Sequence, residues 1–157
     1  MSAASNYLED KLLDHTLRYG TAPYTAPSTV YVALFADNGT NDAANALETG
    51  TNASAGTGDW GYFEINNGSY ARQSVTFAAA GTTTTGTIET NATVSFPVAT
   101  ANYDSAGSTG QVVTHIAIMD ASTGGNVLFY GALTTSKTVS SGDQFTVSSG
   151  NLSISLA

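Results

Sequence analysis

The run "TVYVALF" at residues 29–35 places apolar side chains on both alternating faces, Val30, Val32 and Leu34 on one and Tyr31, Ala33 and Phe35 on the other. Successive strand residues point to opposite faces, so such a strand is stable only when both are covered. A chain that contains it must build a layer on each side. Upstream, "NYLEDKLLDHTLRYG" offers one candidate cover. Asn6 with Glu9 three positions later fits a capping box, and Leu8, Leu12, Leu13, Thr16, Leu17 and Tyr19 share one half of a helical wheel. Asp14 and Arg18 stand four apart in the acid-then-base order that supports a helix, and Gly20 ends it. The pattern predicts a helix over about residues 6–19 whose wide apolar face must be buried. The simplest arrangement sets a β-core on one face of 29–35 and this helix on the other, unless a second subunit supplies that cover.

The remainder reads as strand and turn. "WGYFEI" (60–65), "RQSVTF" (72–77), "TIETNATVSFP" (87–97), "QVVTHIAIM" (111–119), "NVLFYGAL" (126–133), "DQFTVS" (143–148) and "NLSISL" (151–156) are strand candidates. The last alternates strictly, with Leu152, Ile154 and Leu156 inward. Gly-, Ser- and Thr-rich turns separate them, and "INNGSY" (65–70) carries the Asn-Gly dipeptide of a tight turn. The fold class expected is mainly β: an antiparallel β-sandwich or jelly-roll-like domain with one N-terminal α-helix, a single domain over residues 1–157. Residues 36–59 have no period and no basic residue, and are expected as a long loop. Loops beyond about 12–15 residues are uncommon in compact domains and tend to be functional or mobile.

Composition excludes several classes of function. With four Lys and Arg in 157 residues and a net charge of −8, the chain lacks the cations needed to displace counterions from nucleic-acid phosphates or to hold an anionic membrane surface. No stretch approaches the roughly 20 apolar residues of a membrane span, and Met1-Ser2-Ala3-Ala4 begins no signal peptide, so neither membrane insertion nor secretory routing is expected. Cysteine is absent, which removes disulfide and thiolate chemistry. Charged residues make up only 10% of the chain, against roughly 25% in ordinary globular proteins. A surface of neutral Ser, Thr and Asn suits a subunit that packs against neighbours.

Candidate chemistry is sparse. HExxH, GxSxG and phosphate-binding glycine motifs are all absent, and His15 and His115 are single histidines on a helix and an apolar strand. Glu64 and Glu89 are strand-borne carboxylates, but glycosidase chemistry requires a pair roughly 5 to 9.5 Å apart in one cleft, and outward polar positions account for both. "DNGTND" (37–42) supplies hard oxygens around a glycine without the spacing or closing Glu of an EF-hand loop. No catalytic residue, cofactor or metal ligand is therefore assigned. Trp60, Tyr62 and Tyr103 are the residues that would form a sugar-stacking face if exposed; alternatively they pin the long loop to the core.

The segments "YLEDKLLDHTLR", "YTAPSTVYVALF", "GSYARQSVTF", "VSFPVATA", "VTHIAIMDASTGGNVLFYGALTTSKTVSSGD" and "NLSISLA" run in order through most of the chain. Together they resemble a family of small virion proteins of tailed bacteriophages, described as tail fibre-like, minor tail or virion structural proteins. The resemblance implies a non-enzymatic subunit assembled in host bacterial cytoplasm and located in the virion, most simply a fibre-like or baseplate-associated tail protein. Its partners would be other copies of itself and other virion proteins. The docking element would be the N-terminal helix, through Leu8, Leu12, Leu13, Leu17 and Tyr19. Two alternatives remain at this level: a capsid decoration protein on the head surface, and a carbohydrate-binding module for host receptor glycans.

Overall fold

Residues 3–18, 24–37, 42–49, 59–106 and 112–156 are described by the computed structural model of the chain. In chain order the elements are β1 (Ala3–Ala4), α1 (Asn6–Leu17), β2 (Val30–Ala36), α2 (Ala43–Thr49), α3 (Trp60–Phe63), β3 (Gln73–Val75), β4 (Thr87–Glu89), β5 (Val94–Ser95), β6 (Val113–Met119), β7 (Val127–Lys137), β8 (Thr146–Val147) and β9 (Ser153–Ser155). Five strands form one sheet in the order β1-β7-β6-β2-β3, while β4 with β9 and β5 with β8 make two ribbons. Every pairing is antiparallel. The molecule is mainly β with an N-terminal helix, as the strand-and-turn pattern requires.

The doubly apolar run becomes β2, and both of its faces are covered. Val32, Leu34 and Ala36 enter the larger core together with Ile116 and Ile118 of β6, Val94 of β5, and Phe96, Phe145 and Ile154 from the ribbon side. Ala33 and Phe35 enter a second core on the opposite face. Burying Val32, Leu34 and Phe35 contributes at most roughly 5–9 kcal/mol, the scale of a whole domain's net stability. That magnitude is why β2 lies inside the sheet, between β6 and β3.

The second cover differs from the expected one. Ala43, Ala46 and Leu47 of α2 and Trp60 and Phe63 of α3 pack on Phe35, Ala117 and Met119. The supposed loop 36–59 thus contains a helix; its positions 38–41 and 50–58 lie outside the described residues. "WGYF" is likewise one helical turn and not a strand, and only Glu64 and Ile65 after it make single bridges, to Phe35 and Ser105. Small Ala43 and Ala46 let α2 approach the sheet closely, a short-range packing signal with no long periodicity.

Helix α1 joins the larger core instead. Leu8 is buried there, and Tyr7 and Leu12 pack against it partly exposed. The N-cap is Ser5, not Asn6: its Oγ accepts from Leu8 N–H at 3.3 Å, and its backbone N–H donates to Leu128 O at 3.0 Å. The Ser5 hydroxyl also donates to Val127 O. One serine thus starts the helix and fastens it to β7.

Smaller differences have local causes. "TIETNATVSFP" is two strands, because the chain turns at Asn91, whose carboxamide oxygen accepts from Thr76 Oγ1 at 2.5 Å. The tight turn within "INNGSY" is centred on Gly68 and Ser69, both at positive φ (63° and 67°), with Tyr70 N–H closing on Asn67 O at 3.0 Å. In "NLSISL", Ile154 is buried as the alternation requires, but Leu156 is exposed beyond the end of β9.

Candidate functional site

On α1 the expected apolar face divides. Leu8 points inward and Leu12 is half-buried, whereas Leu13 is 57% and Leu17 76% exposed. Tyr19 lies outside the described residues. The expected Asp14–Arg18 ion pair forms at 2.9 Å, and Thr16 Oγ1 donates to Leu12 O at 2.6 Å. His15 Nδ1 accepts Tyr24 N–H at 3.2 Å, tying the end of the helix to the extended connector that leads into β2. What the helix presents to solvent is therefore Leu13 and Leu17, one turn apart on the same side.

The aromatic residues singled out in the sequence are mostly internal. Trp60 is 2% exposed and Tyr103 0%. Trp60 meets Phe35 edge-on with ring centres 6.3 Å apart, and the Arg72 guanidinium lies 5.0 Å from its ring centre. Tyr103 donates its hydroxyl to Pro97 O at 2.8 Å and meets Tyr70 edge-on at 5.7 Å. Both rings are taken up by internal packing, so of the two readings offered from the sequence their burial agrees with pinning to the core and not with a sugar-stacking face. Tyr62 alone of the three is partly exposed, and it packs edge-on against Phe63 at 5.2 Å.

Glu64 is not an outward strand carboxylate. It follows α3 directly, and Arg72 Nε donates to its Oε1 at 2.6 Å while Nη2 donates to Oε2 at 2.8 Å. The same guanidinium gives Nη1 to Ala121 O at 2.7 Å and Gly124 O at 2.8 Å, in the β6–β7 connection. Tyr70 donates to Glu64 Oε1 at 3.1 Å and accepts Leu34 N–H at 3.0 Å. Burial, and then the Glu64 charge beside it, hold the Tyr70 hydroxyl well above its ordinary pKa. A shallow cleft of 440 Å³ borders Trp60, Glu64, Tyr70 and Arg72. Glu89 lies elsewhere, in the β4–β9 ribbon, with its Oε2 accepting from Thr83 Oγ1 at 3.1 Å. The structure does not bring the two glutamates into one cleft. Instead Glu64 holds Tyr70 and Arg72, which in turn reach the distant segments at Leu34 and at Ala121 and Gly124.

Arg72 and Tyr70 were missed as a functional pair by sequence reasoning. The available signal was their spacing of two in "SYARQS", which puts both side chains on one side of an extended segment. Among the described residues no helix is long and apolar enough to cross a membrane. No curated protein matches the chain closely enough to add to an assignment. The sequence profile of the family described as Podophage GP4 fiber I protein gp80 matches residues 3–155, every described element included. That match runs from β1 to β9 and covers nearly the whole chain, and the chain therefore belongs to the podophage GP4 fiber I protein gp80 family.

Proposed function

We propose that the chain is a non-enzymatic structural subunit of a phage virion, placed on the tail as a fibre-like or baseplate-associated protein. The match to a fibre protein family over residues 3–155 is the observation that carries this reading. Two features of the molecule agree with it. Glu64, the carboxylate a hydrolase would need in its cleft, is engaged by Arg72 and Tyr70. The surface is poor in charge, and α1 presents Leu13 and Leu17, which suits packing against a second copy of the chain in a symmetric homo-oligomer. Other virion proteins are the remaining partners.

The test is immunogold electron microscopy of purified particles with antibody raised against this chain. Label on the tail supports the assignment. Label over the head makes the protein a capsid decoration subunit instead, and particles without label overturn the virion reading.

A further inference from the structure

At the rim of the second core three side chains converge from separate elements: Asp37 just after β2, Asp42 just before α2, and His115 on β6. The strand register explains the meeting. His115 stands opposite Phe35, and the register of β2 on β6 shifts between Phe35 and Ala36, immediately before Asp37. One nitrogen or oxygen from each residue lies within 4.8 Å of the other two.

The imidazole belongs to the protein interior, since His115 is 7% exposed. Its Nδ1 lies 2.9 Å from Thr114 Oγ1 and 3.4 Å from Asp37 Oδ1. Its Nε2 forms no hydrogen bond among the described residues and faces Asp42 Oδ1 at 3.8 Å. That separation is too long for a hydrogen bond, yet it is one that two donors can span around a shared cation at about 2.0–2.2 Å from each. Thr114 Oγ1 also accepts Asp37 N–H at 3.1 Å, so Thr114 fixes both a carboxylate-bearing residue and the ring. With Nδ1–H donating to Thr114 Oγ1, the Nε2 lone pair is left for a cation, with Asp42 Oδ1 at 3.8 Å, the outer-shell arrangement that orients metal-binding histidines.

Helix capping accounts for only part of the two carboxylates. Asp37 Oδ1 accepts Ala43 N–H at 2.9 Å and Asp42 Oδ1 accepts Ala44 N–H at 2.8 Å, and each carboxylate has a second oxygen with its own lone pairs. Among the described residues no arginine forms an ion pair with Asp37 or Asp42.

We propose that Asp37, Asp42 and His115 form a binding site for a divalent transition-metal cation of the Zn²⁺ type, clamping the start of α2 to β6. One imidazole with two carboxylates suits such an ion, whereas Ca²⁺ and Mg²⁺ favour all-oxygen shells. The site joins chain positions 78 residues apart (115 − 37), which is why the oxygen-rich "DNGTND" segment alone does not reveal it.

Isothermal titration of the chelator-treated full chain with ZnCl₂ tests the proposal, with CaCl₂ and MgCl₂ as comparators and thermal melts run in parallel. The expected result is one Zn²⁺ per chain, a melting temperature that rises with ZnCl₂ but not with CaCl₂, and affinity lowered at least about 10-fold in Asp42→Asn. Asp42 is exposed and Asn still caps a helix, so this variant keeps the fold. His115→Gln should abolish binding. Absence of Zn²⁺ binding, binding unchanged in Asp42→Asn, or binding that disappears with His15→Gln overturns the proposal.

Discussion

Arg72 and Glu64 meet twice, Nε to Oε1 at 2.6 Å and Nη2 to Oε2 at 2.8 Å, with the Arg72 side chain almost wholly buried. The pair joins the end of α3 to the residue preceding β3, and Arg72 continues to two carbonyls of the β6–β7 connection. Removing the cation alone leaves Glu64 charged in a desolvated place and orphans Ala121 O and Gly124 O. Arg72→Met should therefore cost about 3–5 kcal/mol in urea unfolding. Replacing both residues, Arg72→Met with Glu64→Gln, should cost less than the sum of the single changes. A loss below about 1 kcal/mol for Arg72→Met would show that the network carries little of the stability.

The two sides of α1 should respond differently to substitution. Leu8→Ala empties a buried site and should cost about 2–5 kcal/mol. Leu13→Ser with Leu17→Ser alters exposed positions and should change monomer stability by no more than about 1 kcal/mol in total. If α1 is the oligomer contact, sedimentation should nevertheless show the double serine variant shifted to smaller species. A variant that keeps its assembly state would move the contact away from this helix.

Trp60 separates a structural role from a sugar-binding one. Trp60→Ala removes a ring packed on Phe35 and beneath Arg72, and should cost about 3–5 kcal/mol in denaturant unfolding. Any glycan binding detected on an array should respond first to Tyr62→Ala, because Tyr62 is the partly exposed member of the group. An array signal abolished by a folded Trp60→Ala protein and unaffected by Tyr62→Ala would contradict the burial described here.

Alkaline pH should destabilise the protein through its tyrosines. Desolvation first and the neighbouring Glu48 second push the Tyr130 hydroxyl up to about 12, and burial and then Glu64 raise Tyr70. In the unfolded chain a tyrosine ionises near pH 10. Above that pH the unfolded state has lost a proton that the folded state still holds, so folding stability falls as pH rises from about 10 to about 12. Urea midpoints across this range should fall, and fall less in Tyr130→Phe. Ultraviolet titration should show a late-ionising fraction that Tyr130→Phe reduces.

Gly68 admits little else. Its φ of +63° is strained for a side chain, and a Cβ would strike the backbone oxygen of Ala101, which has no means to move aside. Gly68→Ala should cost more than about 2 kcal/mol, since the left-handed penalty and the clash add. Thermal unfolding measures it.

Period and alternation carried most of the β-framework into view. Val30 to Phe35 announced a strand with two buried faces, and Ile154 announced an inward position in the last strand. What stayed hidden depends on contacts distant in the chain. Ala43, Ala46 and Leu47 form a helix too short for a clear period, and their reason to be helical is the face of Phe35 and Met119 beneath them. Ser5 gave no stronger local capping signal than Asn6; its advantage is the carbonyls of Val127 and Leu128. Glu64 looked solvent-facing because Arg72 and Tyr70 approach it only after the turn at Gly68 and Ser69 brings the chain back. For the same reason, the grouping of His115 with Asp37 and Asp42 was not legible until the register of β2 on β6 was known.

The pairing of Ala3 and Ala4 with Tyr130 and Phe129 has a consequence for the order in which the polypeptide acquires its shape. A ribosome releases the first residues well over a hundred peptide bonds before their strand partner exists. Until β7 emerges, Ser5 has no carbonyl to hold and Leu8 has no completed core to enter, so α1 is among the last elements to settle. Leu8 therefore stays exposed beside Leu13 and Leu17 until that late step.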